Sequence, residues 1–220
     1  MIYENTLEPK ISSNLDTNFL KIVAAITMLI DHIGYVFFPD MIVLRIIGRI
    51  SFPLFAYCIV VGFLYTSNII KYAIRLGIFS VLSQPFYVLA FDLSWYELNI
   101  FPTLLMGLLI IHFLKEKKWF IVTILLILVS LGDFSYGLQG ILLMVLFYIF
   151  RNQRELSAIV TGIFLSIPLL SNHIQGFAVF SIPLIYGHTK LNIKMNKYVF
   201  YIFYPMHLLG IYFTKLILFK

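Results

Sequence analysis

Long apolar segments separated by short polar breaks make up nearly the whole chain from residue 19 onward. A helix needs about 20 predominantly apolar residues to cross a bilayer, and only the outer segments of the chain reach this length. Short middle segments are compatible with tilted helices in a thinned bilayer or with one re-entrant pair. The pattern therefore predicts an all-α bundle of about nine (8–10) transmembrane helices. The predicted spans are 19–38, 41–66, 69–90, 99–114, 119–131, 137–150, 156–170, 174–188 and 197–218.

The composition supports this interpretation. Hydrophobic residues make up 61% of the 220 residues and charged residues 12%, and the mean hydropathy is +0.95. Soluble domains are about 45–50% apolar and about 25% charged, so the chain is expected to be an integral membrane protein. We assign residues 1–18 to an N-terminal tail, whose polar, mixed-charge sequence is unlike a cleavable signal peptide. Residues 19–220 are assigned to a single polytopic membrane domain.

The charge of the polar breaks alternates along the chain. The basic breaks contain Lys10 with Lys21, Lys71 with Arg75, the run 115–118, Arg151 with Arg154, and Lys190, Lys194 and Lys197. Basic loops concentrate on the cytoplasmic side of a membrane, so a multi-pass protein of the cell membrane with a cytoplasmic N-terminus is expected. The net charge of +6 is explained in the same way, without nucleic acid as a partner.

The first apolar segment carries three polar side chains, namely Lys21, Asp31 and His32. Each costs roughly 2.5–3.5 kcal/mol in the middle of a spanning helix, which makes such residues rare and often functional. Lys21 and His32 are separated by three turns plus about 20°, so they share a face about 16 Å apart along the axis. The topology places Lys21 at the cytoplasmic surface and His32 in the outer part of the membrane.

The second segment carries Arg45 and Arg49 one turn apart, hence on one face of a helix. They are expected at the depth of His32. Gly48 permits the close approach of a neighbouring helix, and Pro53 is expected to kink or break the helix just after the arginines. Buried guanidinium groups need anions, and Asp31 is the nearest candidate in sequence.

The last segment contains Pro205 and His207, and proline kinks of this kind often line cavities. Other polar residues, Glu97 and Asp133 among them, are expected to be ordinary acids of outside loops. His173 is expected in a loop.

Several chemistries lack their motifs. The chain contains no phosphate-binding glycine run and no H-E-x-x-H pattern, and no G-x-S-x-G nucleophile motif. Five histidines are spread widely along the chain, so we predict no metal site. Cys58 is the single cysteine and is expected to pack in the core without a disulfide.

Five stretches resemble the TraX family, membrane proteins associated with the acetylation of conjugative pilin. They are LKIVAAITMLIDHIGYVFFP (20–39), LRIIGRISFPLFAYCIVVGF (44–63), NIFPTLLMGLL (99–109), YGLQGILL (136–143) and KYVFYIFYPMHLLGIY (197–212). Lys21, ten intervening residues and His32 also resemble the basic-x10-His pattern of the wider membrane acyltransferase group. The resemblance implies a transmembrane acyltransferase-like fold.

The resemblance also implies an activity. An acetyl or other acyl group would pass from cytosolic acyl-CoA to an acceptor at or beyond the outer face, such as a pilin-like peptide or an envelope glycan. It makes His32 the catalytic histidine and places Lys21 near the CoA phosphates. From depth in the membrane we add Arg45, Arg49 and His207 as substrate-binding or oxyanion-stabilising residues. Asp31 is grouped with His32 as catalytic, although it lies about 100° round the helix and is expected to pair with an arginine.

Two alternatives remain open. A transporter or flippase could bind an anionic substrate with the same polar cluster, and its hallmark would be paired interrupted helices in the two halves. Breaks at Pro53 and Pro205 could form such a pair, but the two halves show no sequence similarity. A structural partner of a secretion or conjugation machine would leave the buried charges without a purpose.

Overall fold

The computed structural model describes residues 11–189, 191, 193–196 and 198–219, and this part of the chain is helical. Beyond an isolated bridge between Leu98 and Phe134, these residues form no β-structure. The α-helices are α1 (Thr17–Phe37), α2 (Ile42–Gly48), α3 (Ser51–Tyr65), α4 (Ile69–Phe91), α5 (Ile100–Lys115), α6 (Trp119–Leu131), α7 (Gly137–Ile149), α8 (Arg154–Ser166), α9 (Ile182–Tyr186) and α10 (Tyr198–Leu218). Two 3-10 helices, η1 (Ile167–Ser171) and η2 (Ile174–Ser181), lie between α8 and α9.

Each predicted apolar segment corresponds to a helical segment. Five segments in the described residues are long and apolar enough to cross a membrane, and they include α1, α2 with α3, α4, α8 with η1, and α10. Four shorter apolar segments are α5, α6, α7 and η2 with α9. A helix of 13 residues such as α6 is only about 20 Å long, against a hydrocarbon core of about 30 Å. The all-helical membrane architecture is thus confirmed, while the count of nine spans stays a prediction.

Helix α3 lies at the centre of the bundle. It is apolar on all sides, as expected for a helix surrounded by others, and it contacts α1, α5, α7 and η2. Leu54, Ala56 and Val60 are completely buried. The outer helices keep large apolar side chains exposed, such as Val81 on α4, and these form the surface expected to face lipid.

The residues just before α1 pack against the bundle. Ser12 donates a hydrogen bond to the carbonyl oxygen of Arg151 at 2.9 Å, and the Tyr57 hydroxyl donates one to the carbonyl oxygen of buried Asn14 at 2.8 Å. Asp16 caps α1 by accepting from the amide of Phe19 at 3.3 Å. Residues 11–16 of the predicted tail are therefore attached to the membrane domain. Lys10, Lys190 and Lys197, used above for topology, lie outside the described residues.

The second apolar segment is interrupted between α2 and α3, at Arg49 and Ile50. Pro53 lies in the first turn of α3, where its ring would clash with the carbonyl of Arg49 if the helix continued unbroken. The predicted break is confirmed. Pro205, in contrast, lies inside α10, which runs from Tyr198 to Leu218. The interruption in the first half of the chain thus has no counterpart at Pro205.

Candidate functional site

An ion-pair cluster joins α1 to α2. Asp31 is buried. Both oxygens of its carboxylate accept from Nη2 of Arg49, each at 2.5 Å. Nη1 of Arg45 lies 3.0 Å from the Oδ2 atom of Asp31 and also donates to the backbone carbonyl of Asp31 at 3.0 Å. The predicted pairing of Asp31 with the arginines is confirmed. One carboxylate is thereby shared between two guanidinium groups.

The two arginines differ in how many of their donors are occupied. Arg49 uses all three nitrogens, because Nε donates to the carbonyl of Arg45 at 3.1 Å and Nη1 to Oε1 of Gln175 at 3.1 Å. Arg45 bonds only through Nη1 to other described residues, and its guanidinium lies 4.8 Å from the ring centroid of Tyr35. Arg45 therefore keeps free N–H donors for a ligand, whereas Arg49 mainly holds the cluster together.

Gly48 makes this cluster possible. A Cβ atom at position 48 would lie 2.1 Å from Cβ of Asp31 and 2.3 Å from its Oδ1. These distances are shorter than any non-bonded contact between heavy atoms. The absence of a side chain lets α2 approach α1 closely enough for both arginines to reach Asp31, as predicted for this glycine.

We expect Gly48→Ala to destabilise the protein by about 1–3 kcal/mol, because the added methyl group overpacks a rigid contact and separates the ion pairs. Gly210→Ala on α10 is the matched control, since a Cβ there meets nothing within 4 Å. The measurement is thermal unfolding of the detergent-solubilised variants. Equal midpoints for the two variants would contradict the steric argument.

The second feature is a hydrogen-bonded pair of histidines from α1 and α10. Nδ1 of His32 lies 2.8 Å from Nε2 of His207, and Nδ1 of His207 lies 2.9 Å from the carbonyl oxygen of Phe203. A carbonyl only accepts, so Nδ1 of His207 carries a proton and, in the neutral ring, its Nε2 accepts from His32. Nε2 of His32 is then the nitrogen with a free lone pair.

A cavity of about 490 Å³ opens beside these groups, and we call it the histidine cavity. Its polar lining consists of Asp31, His32, Tyr35, Arg45, Arg49, Ser51, Tyr87, Glu97, Ser135, Tyr136, Gln139, His173, Gln175 and Tyr204. Four predicted residues, Asp31, His32, Arg45 and Arg49, are thus brought together around one space. His207 is not among the lining residues. It lies behind His32 and borders a separate shallow groove between α1 and α10, so it acts on the cavity through His32.

Several lining residues were not predicted as site residues. Glu97 and His173 were interpreted as loop residues, yet both border the histidine cavity. Gln175 had no sequence signal, and it reaches Arg49 from η2. Tyr136 stacks on Phe52 with ring centroids 3.7 Å apart. Glu97, Tyr136 and His173 lie between spans and Gln175 lies at the start of one. A polar side chain is unremarkable at such positions in sequence, and only folding brings these residues to the cluster.

Lys21 lies in a different cavity, of about 520 Å³, which we call the lysine cavity. Its polar lining consists of Thr17, Lys21, Cys58, Tyr65, Thr66, Tyr72, Arg75, Tyr201 and Tyr204. Nζ of Lys21 is 5.7 Å from the ring centroid of Phe200. Lys21 and His32, which were expected to share one face of α1, therefore border two different cavities.

The two cavities adjoin. Both are lined by Met28, Phe55, Ile100 and Tyr204, four side chains that we call the partition. In the histidine cavity, the free lone pair of His32 can deprotonate a nucleophile and the free N–H groups of Arg45 can stabilise a negative charge. In the lysine cavity, the cations can bind an anion. Within the described part of the chain, no three His, Cys, Asp or Glu side chains come together to hold a metal ion.

Comparisons with known proteins identify relatives of this chain. The chain is 29% identical, over 90% of its length and 95% of the relative's, to a Dichelobacter nodosus protein described as "Probable fimbrial assembly protein FimC, serogroup H1". It is also 29% identical, over 62% of its length and 56% of the relative's, to "Uncharacterized protein RP591" of Rickettsia prowazekii (strain Madrid E). No solved structure matches.

The sequence model of the family described as TraX protein matches residues 16–215. The match begins at the cap of α1 and ends within α10. It includes every member of the ion-pair and histidine clusters, and every lining residue of the two cavities except Leu15. The chain therefore belongs to the TraX family.

Proposed function

We propose that this protein is a membrane-bound acyltransferase that moves an acetyl group from cytosolic acetyl-CoA to an acceptor at the outer face of the cell membrane. The observation that carries the proposal is the free Nε2 lone pair of His32, beside Arg45 and next to a second cavity that contains Lys21. The charges of the loops predict a cytoplasmic N-terminus. With that orientation, the lysine cavity would receive the donor and the histidine cavity would receive the acceptor.

The proposed reaction uses His32 as the general base. An acceptor amine or hydroxyl gives its proton to Nε2 of His32 as its nitrogen or oxygen attacks the thioester carbonyl. The new bond forms and the carbonyl electrons move to oxygen, where the free N–H groups of Arg45 stabilise the negative charge. The oxyanion then collapses, the carbon–sulfur bond breaks, and the CoA thiolate takes the proton from His32. The products are an acetylated acceptor and CoA thiol.

His207 and Asp31 have supporting roles in this proposal. The bond from His32 Nδ1 to His207 fixes the ring and keeps the proton off Nε2. Asp31 neutralises and orients the two arginines, and the described residues show no hydrogen bond between its side chain and His32. We therefore assign Asp31 to positioning within the site and not to proton transfer.

The acceptor is proposed to be the amino terminus of a pilin-like protein, with an envelope glycan as the other candidate. The support comes from the family and from the relative described as a fimbrial assembly protein. An acceptor amine must lose a proton as it attacks the carbonyl, and the free Nε2 lone pair of His32 can take it.

A transporter or flippase for an anionic substrate is the second candidate. Two adjoining cavities with cations, separated by the four partition residues, favour it. The interrupted α2–α3 segment has no counterpart at Pro205 in α10, which weakens the comparison with inverted-repeat transporters.

One experiment separates the two functions. The purified protein is reconstituted into liposomes with acetyl-CoA labelled in the acetyl group, together with pilin-like amino-terminal peptides or host envelope glycan. We expect the label to appear covalently on an acceptor, with release of one CoA thiol per acetyl group. Accumulation of intact acetyl-CoA in the lumen, without any labelled acceptor, would overturn the acyltransferase proposal and favour transport.

A further inference from the structure

The lysine cavity contains a second cation whose charge is not balanced by any of the described residues. Arg75 on α4 borders this cavity together with Lys21 of α1. Its Nε atom is shielded from solvent and has no hydrogen-bond partner among the described residues. The Arg75 guanidinium lies 5.4 Å from the ring centroid of Tyr72, which also lines this cavity.

In the part of the chain that the structure describes, no acid compensates these two cations. None of the described residues that line the lysine cavity is an aspartate or glutamate, and the salt bridges among them involve neither Lys21 nor Arg75. The other two arginines at membrane depth, Arg45 and Arg49, both pair with Asp31. Lys21 and Arg75 are both half-buried, and charge that is partly withdrawn from water without a counterion is costly. The two unpaired cations therefore indicate an anion supplied by a ligand.

Apart from these two cations, the wall of the lysine cavity is uncharged and largely apolar. Phe55, Leu76 and Leu104 contribute to its wall, and it extends to the partition next to His32. Its volume of about 520 Å³ falls in the range of small-molecule sites, about 300–1,000 Å³. The shape and charge fit a ligand with phosphate groups at one end and a slender, mostly uncharged arm.

We propose that Arg75, with Lys21, binds the phosphate groups of the acyl donor, so that the pantetheine arm extends through the lysine cavity toward the partition. This inference rests on the proposed function, because it assigns the donor side of the same reaction. Arg75 is then a donor-binding residue, and it differs from Lys71, one turn earlier on α4, which is exposed and borders neither cavity.

The test compares binding of acetyl-CoA and of S-acetylpantetheine, which lacks the nucleotide and its phosphates. The proteins are wild type, Arg75→Gln, Arg75→Lys and the control Lys71→Gln, each in phosphatidylcholine nanodiscs. We expect Arg75→Gln to weaken acetyl-CoA binding by about 10- to 100-fold, the effect of one charge-assisted hydrogen bond. Binding of S-acetylpantetheine should stay within about twofold, Arg75→Lys should recover part of the loss, and Lys71→Gln should resemble wild type.

The two Arg75 variants should show a raised KM for acetyl-CoA with an unchanged kcat, because Arg75 is proposed to bind the phosphate end of the donor and not its reacting atoms. Equal weakening of both ligands by Arg75→Gln would mean a structural role and overturn the inference. Acetyl-CoA binding by Arg75→Gln that equals binding by Lys71→Gln would also overturn the inference. In that case, normal acetyl transfer would leave the proposed function intact. Absence of acetyl-CoA binding by the folded wild-type protein would overturn both.

A lipid headgroup is the other possible source of a phosphate on an apolar arm. Repeating the titration in phosphatidylglycerol nanodiscs distinguishes it. If Arg75 binds a lipid headgroup, phosphatidylglycerol should compete with acetyl-CoA. Wild-type binding of acetyl-CoA should then be weaker in these nanodiscs, whereas binding by Arg75→Gln should not change. That result would overturn the assignment to the donor. The same ratio of wild-type to Arg75→Gln affinity for acetyl-CoA in both lipids would support it.

Discussion

His32→Ala is expected to lower kcat for acyl transfer by about 10²- to 10⁴-fold, because it removes the imidazole lone pair proposed to act as the general base beside the ion-pair cluster. Binding of acetyl-CoA should be retained, since the donor is proposed to lie mainly in the lysine cavity. The measurement is single-turnover transfer of labelled acetyl groups, beside a binding titration of the same preparation.

Two further histidine variants make this test specific. His112→Ala is the matched control, because His112 on α5 packs 6.4 Å from the Phe63 ring and borders neither described cavity; its activity should be unchanged. His207→Ala should lose about 10²-fold, since it frees the His32 ring to leave its productive geometry. Activity retained in His32→Ala would exclude His32 as the base.

Asp31→Ala is expected to destabilise the protein by about 3–5 kcal/mol, because it leaves Arg45 and Arg49 buried without their shared anion. Asp92→Ala is the matched control. Asp92 also forms an ion pair, with Lys215, but its side chain is 77% exposed, and exposed pairs contribute only about 0–1 kcal/mol. Unfolding of the solubilised variants, by heat or by denaturing detergent, gives the comparison.

Removing all three charges provides the decisive comparison. In the variant Asp31→Leu, Arg45→Met, Arg49→Met no charge is left unpaired, so most of the lost stability should return, while acyl transfer should not. An Asp31→Ala protein as stable as Asp92→Ala would show that solvent reaches the arginines and would contradict their burial. Recovery of stability without recovery of transfer would place the cluster in the function of the site.

Much of the membrane architecture could be predicted because its causes are local. A run of apolar residues determines that a segment avoids water, whatever its neighbours are, so the helical segments agree with the predicted spans to within a few residues. The α2–α3 break followed from the missing N–H and the ring of Pro53. The pairing of Asp31 with Arg45 and Arg49 followed from the cost of buried charge and from the short distance along the chain.

The contacts that give those residues a chemical role depend on helices far apart in sequence. His32 and His207 are 175 residues apart, and no rule of local spacing relates them. Gln175 reaches Arg49 across 126 residues. Arg75 resembled an ordinary cytoplasmic charge next to Lys71, and its position in the lysine cavity depends on how α4 packs against α10.

The sequence by itself determined that this is an all-helical membrane protein of the TraX family, with buried charges that require partners. Only the tertiary structure decided that Lys21 and His32 border two different cavities and that His207 forms a hydrogen bond with His32. It also decided that Arg75 has no counterion among the described residues of its cavity. The physical reason is that hydrophobicity acts on each segment separately, whereas hydrogen bonds and ion pairs between distant segments depend on the angle and rotation at which packed helices meet.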